Sequence, residues 1–62
     1  MITNPRLGMM VQVWYRQQVR EIMPLHGKEG TVRLASRGKP RNHLVEVEGK
    51  CYVVPCGNLR ET

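Results

Sequence analysis

Alternating apolar and polar positions predict a first β-strand over residues 9–15. One face holds the side chains expected in the core: Met9, Val11, Val13 and Tyr15. The opposite face holds Met10, Gln12 and Trp14. A second strand is predicted at about 30–36, where Val32 and Leu34 point to the same side. Gly27 and Gly30 are expected to bracket the tight turn before it.

The clearest pattern is "HLVEVEGKCYVV" at residues 43–54, which predicts two strands joined by a turn at Glu48-Gly49. Four of its side chains are expected to face inward: Val45, Val47, Tyr52 and Val54. Beyond this hairpin, "PCGNL" predicts one turn of 3₁₀ helix. Residues 59–61 then predict a short closing strand, with Leu59 as its core anchor.

The segment "RQQVREIMPLH" at residues 16–26 predicts a long structured loop with room for one helical turn before Pro24. Its apolar residues are expected to cover one end of the domain: Val19, Ile22 and Met23. The order of elements resembles an SH3-like barrel. The predicted fold is therefore all-β, a small five-stranded SH3-like barrel with a long first loop and a 3₁₀ turn before the last strand. Residues 1–7 are predicted to form an extended lead-in, and residues 8–62 one domain.

The length of the chain limits what it can do. Sixty-two residues make at most one domain with a small core. No nucleophile, base and acid stand together in a motif, so we expect no enzyme and no cofactor. No apolar run approaches the ~20 residues that cross a membrane, and the N-terminus lacks a signal-peptide pattern. We expect a cytoplasmic binding module without a membrane partner.

Positive charge is concentrated in one predicted loop, "SRGKPRNH" at residues 36–43. The chain has ten Lys and Arg against five Asp and Glu, and four of the ten cations lie between residues 33 and 41: Arg33, Arg37, Lys39 and Arg41. The acids lie elsewhere in the sequence, and clustered cations attract phosphates. Gly38 would allow close approach, and Pro40 would stiffen the loop. The alternative interpretation is a solvated hairpin loop.

Trp14 is a second candidate for contact with a ligand. Alternation places it on the face opposite Val11 and Val13, where it would lie beside Arg33 and stack on bases. The alternative is that Trp14 covers an open end of the domain or the long loop. Arg16 and Lys28 complete this weaker group of candidates.

The stretch "HGKEGTV" at residues 26–32 resembles the KOW motif of ribosomal and transcription-elongation proteins. The match is carried by Gly27, Lys28, Gly30 and Val32, with Gly8, Val11 and Val13 in the strand before them. It covers about residues 8–34. The resemblance implies an SH3-like barrel that contacts RNA, or proteins of the translation and transcription machinery.

Three other interpretations remain open. The predicted architecture is similar to that of plasmid-type dihydrofolate reductases, but Tyr52-Val53-Val54-Pro55 departs from the Val-Gln-Ile-Tyr stretch of their pore. Cys51, Cys56, His26 and His43 offer zinc ligands, although the cysteine spacing is unusual and buried free cysteines fit better. An acidic protein partner or a second copy of the chain competes with the leading hypothesis. That hypothesis is a small module that binds RNA or single-stranded nucleic acid.

Overall fold

The computed structural model describes residues 1–39 and 41–62. They form five β-strands: β1 (Met10–Val13), β2 (Glu29–Leu34), β3 (Asn42–Val47), β4 (Lys50–Pro55) and β5 (Leu59–Glu61). Two short 3₁₀ turns lie in the connections, at Arg20–Ile22 and Cys56–Asn58. Among the residues described, no helix has the length and apolar character needed to cross a membrane.

The strands form one antiparallel sheet in the order β4-β3-β2-β1-β5. This confirms the all-β prediction, the 3₁₀ turn before the last strand and the closing strand itself. The sheet is open, with β4 and β5 as its edges. β1 is shorter than predicted: it ends at Val13, and the Trp14 N–H donates to the carbonyl of Asn58 instead (2.8 Å).

The hairpin of β3 and β4 has the predicted turn. Val47 pairs with Lys50, which leaves Glu48 and Gly49 as the two loop residues. Both have positive φ, 52° and 83°, as the tight primed hairpin turns require. Glycine adopts this conformation at no steric cost, so the Glu-Gly pair determines where the strands reverse.

The core lies on the inner face of the sheet and draws on all five strands. Seven side chains are at most 2% exposed: Val11, Val13, Val32, Val45, Val47, Val54 and Leu59. These include Val11, Val13, Val45 and Val47, all predicted to face inward, and the predicted anchor of β5; Met9, also predicted to face inward, is partly buried. Because one cluster takes residues from both edge strands, the sheet curves around it. Tyr52 and Tyr15 are partly buried against the same cluster.

The prediction for Leu34 is wrong. Thr31 and Val32 pair with Glu46 and Val45, but Leu34 pairs with Leu44, so Arg33 is an extra residue in a β-bulge. The bulge reverses the alternation, and Leu34 is 62% exposed on the outer face. Pattern alone places Leu34 with Val32 because it assumes an uninterrupted strand.

Gly30 was predicted to end a tight turn, but it lies inside β2 opposite Val11. A Cβ there would come within 2.5 Å of the Glu46 carbonyl oxygen and 2.8 Å of methyl groups of Val45 and Val47. The glycine therefore permits the close approach of β2 and β3. Gly27 does take the turn conformation, with φ of 81°.

Hydrogen bonds and packing fix the first seven residues to the sheet. Pro5 is buried, and Ile2 packs against the core. The N–H of Ile2 donates to the Cys56 carbonyl (3.2 Å), and that of Gly8 donates to the Val32 carbonyl (2.8 Å). This segment thereby forms a wall beside the loop after β2.

The long connection between β1 and β2 contains the anticipated helical turn, at Arg20–Ile22. Leu25 packs against the core, but Ile22 is 77% exposed. The expectation that Ile22 helps to cover one end of the domain is wrong, because the turn directs it to solvent.

Candidate nucleic-acid interface

The loop after β2 and the N-terminal segment enclose a groove of about 760 Å³. Three arginines line it, Arg6, Arg37 and Arg41, and we call it the basic groove. Leu7 and Leu34 provide apolar surface within it. None of its lining residues, within the part of the chain described, carries a carboxylate. Such a surface suits an elongated anion with apolar parts.

The loop beside the groove is held by His43. The imidazole is fully buried, and its Nδ1 accepts a hydrogen bond from the Ser36 N–H (3.1 Å). Ser36 Oγ in turn accepts one from the Gly38 N–H (3.2 Å). The neutral imidazole then carries its hydrogen on Nε2, which is buried without a partner in the described structure. His43 therefore determines how the loop leaves β2.

Arg41 joins the two walls of the basic groove. Its guanidinium donates to Asn4 Oδ1, and its carbonyl accepts a hydrogen bond from the Cys56 N–H (2.8 Å). Arg37 and Lys39 are exposed, and neither forms an ion pair with any residue described. Pro40, expected to stiffen this loop, lies outside the described residues.

Two predicted cations are paired with acids. Arg33 Nε donates to Glu46 Oε1 (2.9 Å), and Lys28 Nζ to Glu48 Oε1 (2.8 Å). These hydrogen bonds, and then the carboxylate charges, raise the pKa of the Arg33 and Lys28 side chains. β3 and its turn supply both glutamates, which are distant from these cations in the sequence. Arg33 therefore adds little to a positive surface.

Trp14 was predicted to lie beside Arg33, but it lies beside Arg60 of β5. β1 and β5 pair Gln12 with Arg60, which directs Arg60 over the indole. Its guanidinium carbon lies 3.4 Å from the centroid of the indole ring, and that of Arg20 lies 5.2 Å away. The His26 ring is 4.4 Å from the indole, between centroids. We call Trp14, Arg20, His26 and Arg60 the Trp14 cluster.

Hydrogen bonds orient the Trp14 cluster. Arg60 Nε donates to Gln12 Oε1 (2.7 Å), and Gln12 Nε2 donates to the Gly27 carbonyl (3.0 Å). Arg20 Nη2 donates to the carbonyl of Tyr15 (3.2 Å). Trp14 is partly buried under these groups, so its role as a base-stacking surface stays a prediction. Arg16 is exposed nearby in the chain.

His26 in this cluster is held neutral. Its Nδ1 accepts a hydrogen bond from the Tyr15 N–H (3.0 Å), which a protonated ring would break. Partial burial, followed by the charges of Arg20 and Arg60, holds the pKa of His26 below its ordinary value. The imidazole is therefore an N–H donor that carries no charge near neutral pH.

Within the described residues, the candidate zinc ligands do not form a cluster. Cys51 is exposed on the outer face, which corrects the expectation of two buried cysteines, while Cys56 is partly buried. Across residues 1–39 and 41–62, no three His, Cys, Asp or Glu side chains converge on a common point. His43 is committed to the loop and His26 to the Trp14 cluster.

Four residues of these two regions do not follow from the charge pattern: Arg6, Arg20, His26 and Arg60. The outward position of Arg60 could have been predicted from the sequence. If Leu59 is the buried residue of a closing strand, alternation turns Arg60 to the outer face. The other three come from segments without a regular pattern. No spacing in the sequence places them beside the loop or the tryptophan.

Protein-family models, curated proteins and solved structures were all compared with this chain, and none of the three comparisons gave a match.

Proposed function

We propose that the protein is a small non-catalytic module that binds RNA or single-stranded nucleic acid through the basic groove. The observation that carries this proposal is the convergence of Arg6, Arg37 and Arg41 on one groove without a carboxylate. Guanidinium groups bind phosphate oxygens with two parallel hydrogen bonds. Lys39 stands at the exposed tip of the adjoining loop and extends the same field.

A flexible single strand fits this surface better than a duplex. Recognition of the major groove needs a helix or a two-stranded ribbon that enters it. The helical segments among the residues described are three residues long, and none of their residues lines the basic groove. Leu7 and Leu34 provide apolar surface for unstacked bases while the arginines hold the backbone.

The finer fold assignment belongs to the same proposal. Five short antiparallel strands, a long connection after β1 and a 3₁₀ turn before β5 support an SH3-like barrel of the KOW-like kind. We propose a cytoplasmic accessory or regulatory role for such a module. Of the predicted contacts, Arg37, Lys39 and Arg41 carry the binding, and Arg33 and Lys28 contribute less because they are paired.

The test compares two triple variants of equal charge. R6Q/R37Q/R41Q removes the cations of the basic groove, and K28Q/R33Q/K50Q removes three cations outside it. Each lowers the formal net charge from +5 by three. Affinity for a fluorescently labelled single-stranded RNA and DNA oligonucleotide is measured by anisotropy over a series of salt concentrations, with circular dichroism to check the fold.

The groove variant is expected to lose affinity and to flatten the salt dependence by ~0.7 in log–log slope for each phosphate contact removed, about two in all. The control variant should keep most of the slope. Equal losses in the two variants would show that net charge alone attracts the strand. No measurable binding by the parent protein would overturn the proposal.

A protein partner is the second candidate, favoured by an apolar ladder on the outer face. Leu34 pairs with Leu44, and Leu44 pairs with Val53, which is 67% exposed. This ladder adjoins the basic groove through Leu34, so an acidic partner with apolar side chains, or a second copy of the chain, would fit both surfaces. L44S/V53S should abolish binding to such a partner and leave the oligonucleotide affinity unchanged, because neither side chain lines the basic groove.

A further inference from the structure

We infer that the Trp14 cluster is a second anion-binding site, which takes a phosphate group between Arg20, Arg60 and His26. The site lies at the opposite end of β1 from the basic groove and does not depend on it. Trp14 follows the last residue of β1, whereas Leu7 and Leu34 of the basic groove lie by its start. The phosphate is either free or part of a nucleic-acid backbone.

Two guanidinium groups are held in fixed positions beside the indole. Arg60 lies 3.4 Å over the indole, and Arg20 lies 5.2 Å from the same ring centroid. Hydrogen bonds to Gln12 and to the Tyr15 carbonyl fix their orientation. Since these side chains are already ordered, an anion that binds them does not have to order two long side chains.

Within the described residues, the two arginines keep hydrogen-bond donors without acceptors and positive charge without a paired carboxylate. Arg60 uses Nε for Gln12, which leaves its terminal amino groups without an acceptor among residues 1–39 and 41–62. Arg20 Nε is buried and has no partner in the described structure. No carboxylate of that part of the chain lies within 4.0 Å of either guanidinium. Two like charges beside one indole repel each other, and a bound anion removes that repulsion.

His26 adds a neutral hydrogen-bond donor to the two arginines. Because Nδ1 accepts the Tyr15 N–H, the ring hydrogen is on Nε2, which makes no hydrogen bond within the described structure. The ring lies 4.4 Å from the indole, between centroids. A phosphate at this site is offered the terminal amino groups of Arg60, the remaining amino group of Arg20 and one imidazole N–H. An anion there also opposes the charges of Arg20 and Arg60, so binding should raise the pKa of His26.

Trp14 reports on this site directly, since the chain has one tryptophan. Inorganic phosphate is titrated at constant ionic strength, with chloride as the exchanged anion, and Trp14 fluorescence is recorded. In parallel, NMR follows the pH titration of the His26 ring with and without phosphate. R20K and R60K retain the charge, R20Q/R60Q removes it, and R37Q is the matched control in the basic groove.

We expect a saturable fluorescence change, a higher His26 pKa in phosphate, and at least a tenfold weaker response in R20Q/R60Q. R37Q should match the parent. R20K and R60K should bind more weakly than the parent because lysine lacks the planar fork, and they serve as folded variants if the double variant unfolds. A single-stranded oligonucleotide without terminal phosphate is the second probe. A response to it alone assigns the site to the nucleic-acid backbone.

Two results would overturn the inference. One is the absence of a saturable change in fluorescence and in the His26 pKa with either probe. The other is an equal response in the parent, R20K, R60K and R20Q/R60Q, which would place the anion elsewhere. Neither result bears on the basic groove, whose test uses residues outside the Trp14 cluster.

Discussion

The basic groove and the Trp14 cluster are two cationic regions at opposite ends of β1, and they are assembled in different ways. The groove takes Arg37 and Arg41 from one loop and adds Arg6. The Trp14 cluster collects its residues from positions 14, 20, 26 and 60. The first region is visible as charge density along the chain, whereas the second exists only because β5 pairs with β1.

Arg33 and Lys28 show why the density of positive charge along the sequence is an incomplete guide to which cations can bind an anion. Arg33 precedes Leu34 of the basic groove in the sequence, and Lys28 follows the turn at Gly27. β3 brings Glu46 to Arg33, and the turn after β3 brings Glu48 to Lys28. Arg20 and Arg60, in contrast, have no carboxylate within 4.0 Å in the part of the chain described. Whether a lysine or arginine is free to bind an anion therefore depends on the side chains that the fold places beside it.

Both regions rest on one core, so the largest expected effect is common to them. L59A removes a side chain that is 1% exposed beside Arg60, and it should lower the free energy of unfolding by about 2–5 kcal/mol. A loss of that size is most of the free energy of unfolding of a domain this small. Urea unfolding followed by far-ultraviolet circular dichroism and by Trp14 fluorescence measures it.

The matched control for this variant is V53A, at a side chain that is 67% exposed, which should change the stability by less than about 0.5 kcal/mol. The two probes should give one transition. If fluorescence and circular dichroism report separate transitions, the two ends of β1 do not share a core.

Acid should act on the Trp14 cluster through His26. The folded pKa of His26 lies below its ordinary value, so the unfolded chain binds a proton more readily. The stability due to neutral His26 is therefore complete above the unfolded value of about 6.5 and is lost as the pH falls through the lower folded value. Urea unfolding between those pH values measures the loss.

H26Q is the control for the pH experiment, because glutamine offers an acceptor to the Tyr15 N–H without titrating. Its stability should be less dependent on pH than that of the parent over the same interval. Identical pH dependence in the two proteins would show that His26 does not carry the effect.

The smallest expected effect belongs to the paired cations. R33Q breaks an ion pair whose side chains are 52% and 35% exposed, so the free energy of unfolding should fall by about 0–1 kcal/mol. R37Q makes the same substitution at an unpaired arginine of the groove and should reduce oligonucleotide affinity more than R33Q does. A larger loss of affinity in R33Q would reverse the ranking of these two positions.

Much of the fold could be predicted from the sequence because side-chain alternation and turn chemistry are local. Val11, Val13, Val45 and Val47 face the core as their spacing indicates, and Glu48-Gly49 forms the turn. Leu34 could not be placed, since a bulge leaves no mark on apolar spacing. Gly30 could not be placed either, because its role is to let β3 approach, and a contact between strands is not a local property.

The candidate site was predictable only in part for the same reason. Arg37, Lys39 and Arg41 stand out because they are close together in one loop. Arg6 reaches the groove because Pro5 and Ile2 fix the N-terminal segment to the sheet. Trp14 could be recognised as a candidate, but its neighbours could not, since strand order determines them.

Binding through the basic groove is tested most directly by titrating the ¹⁵N-labelled protein with a short unlabelled single-stranded oligonucleotide and following the amide and arginine side-chain NMR signals. We expect the largest changes at residues 6–7, 34–37 and 41, and smaller ones at Arg33 and Lys28. Changes confined to the outer ladder of Leu44 and Val53, or no changes at all, would contradict it.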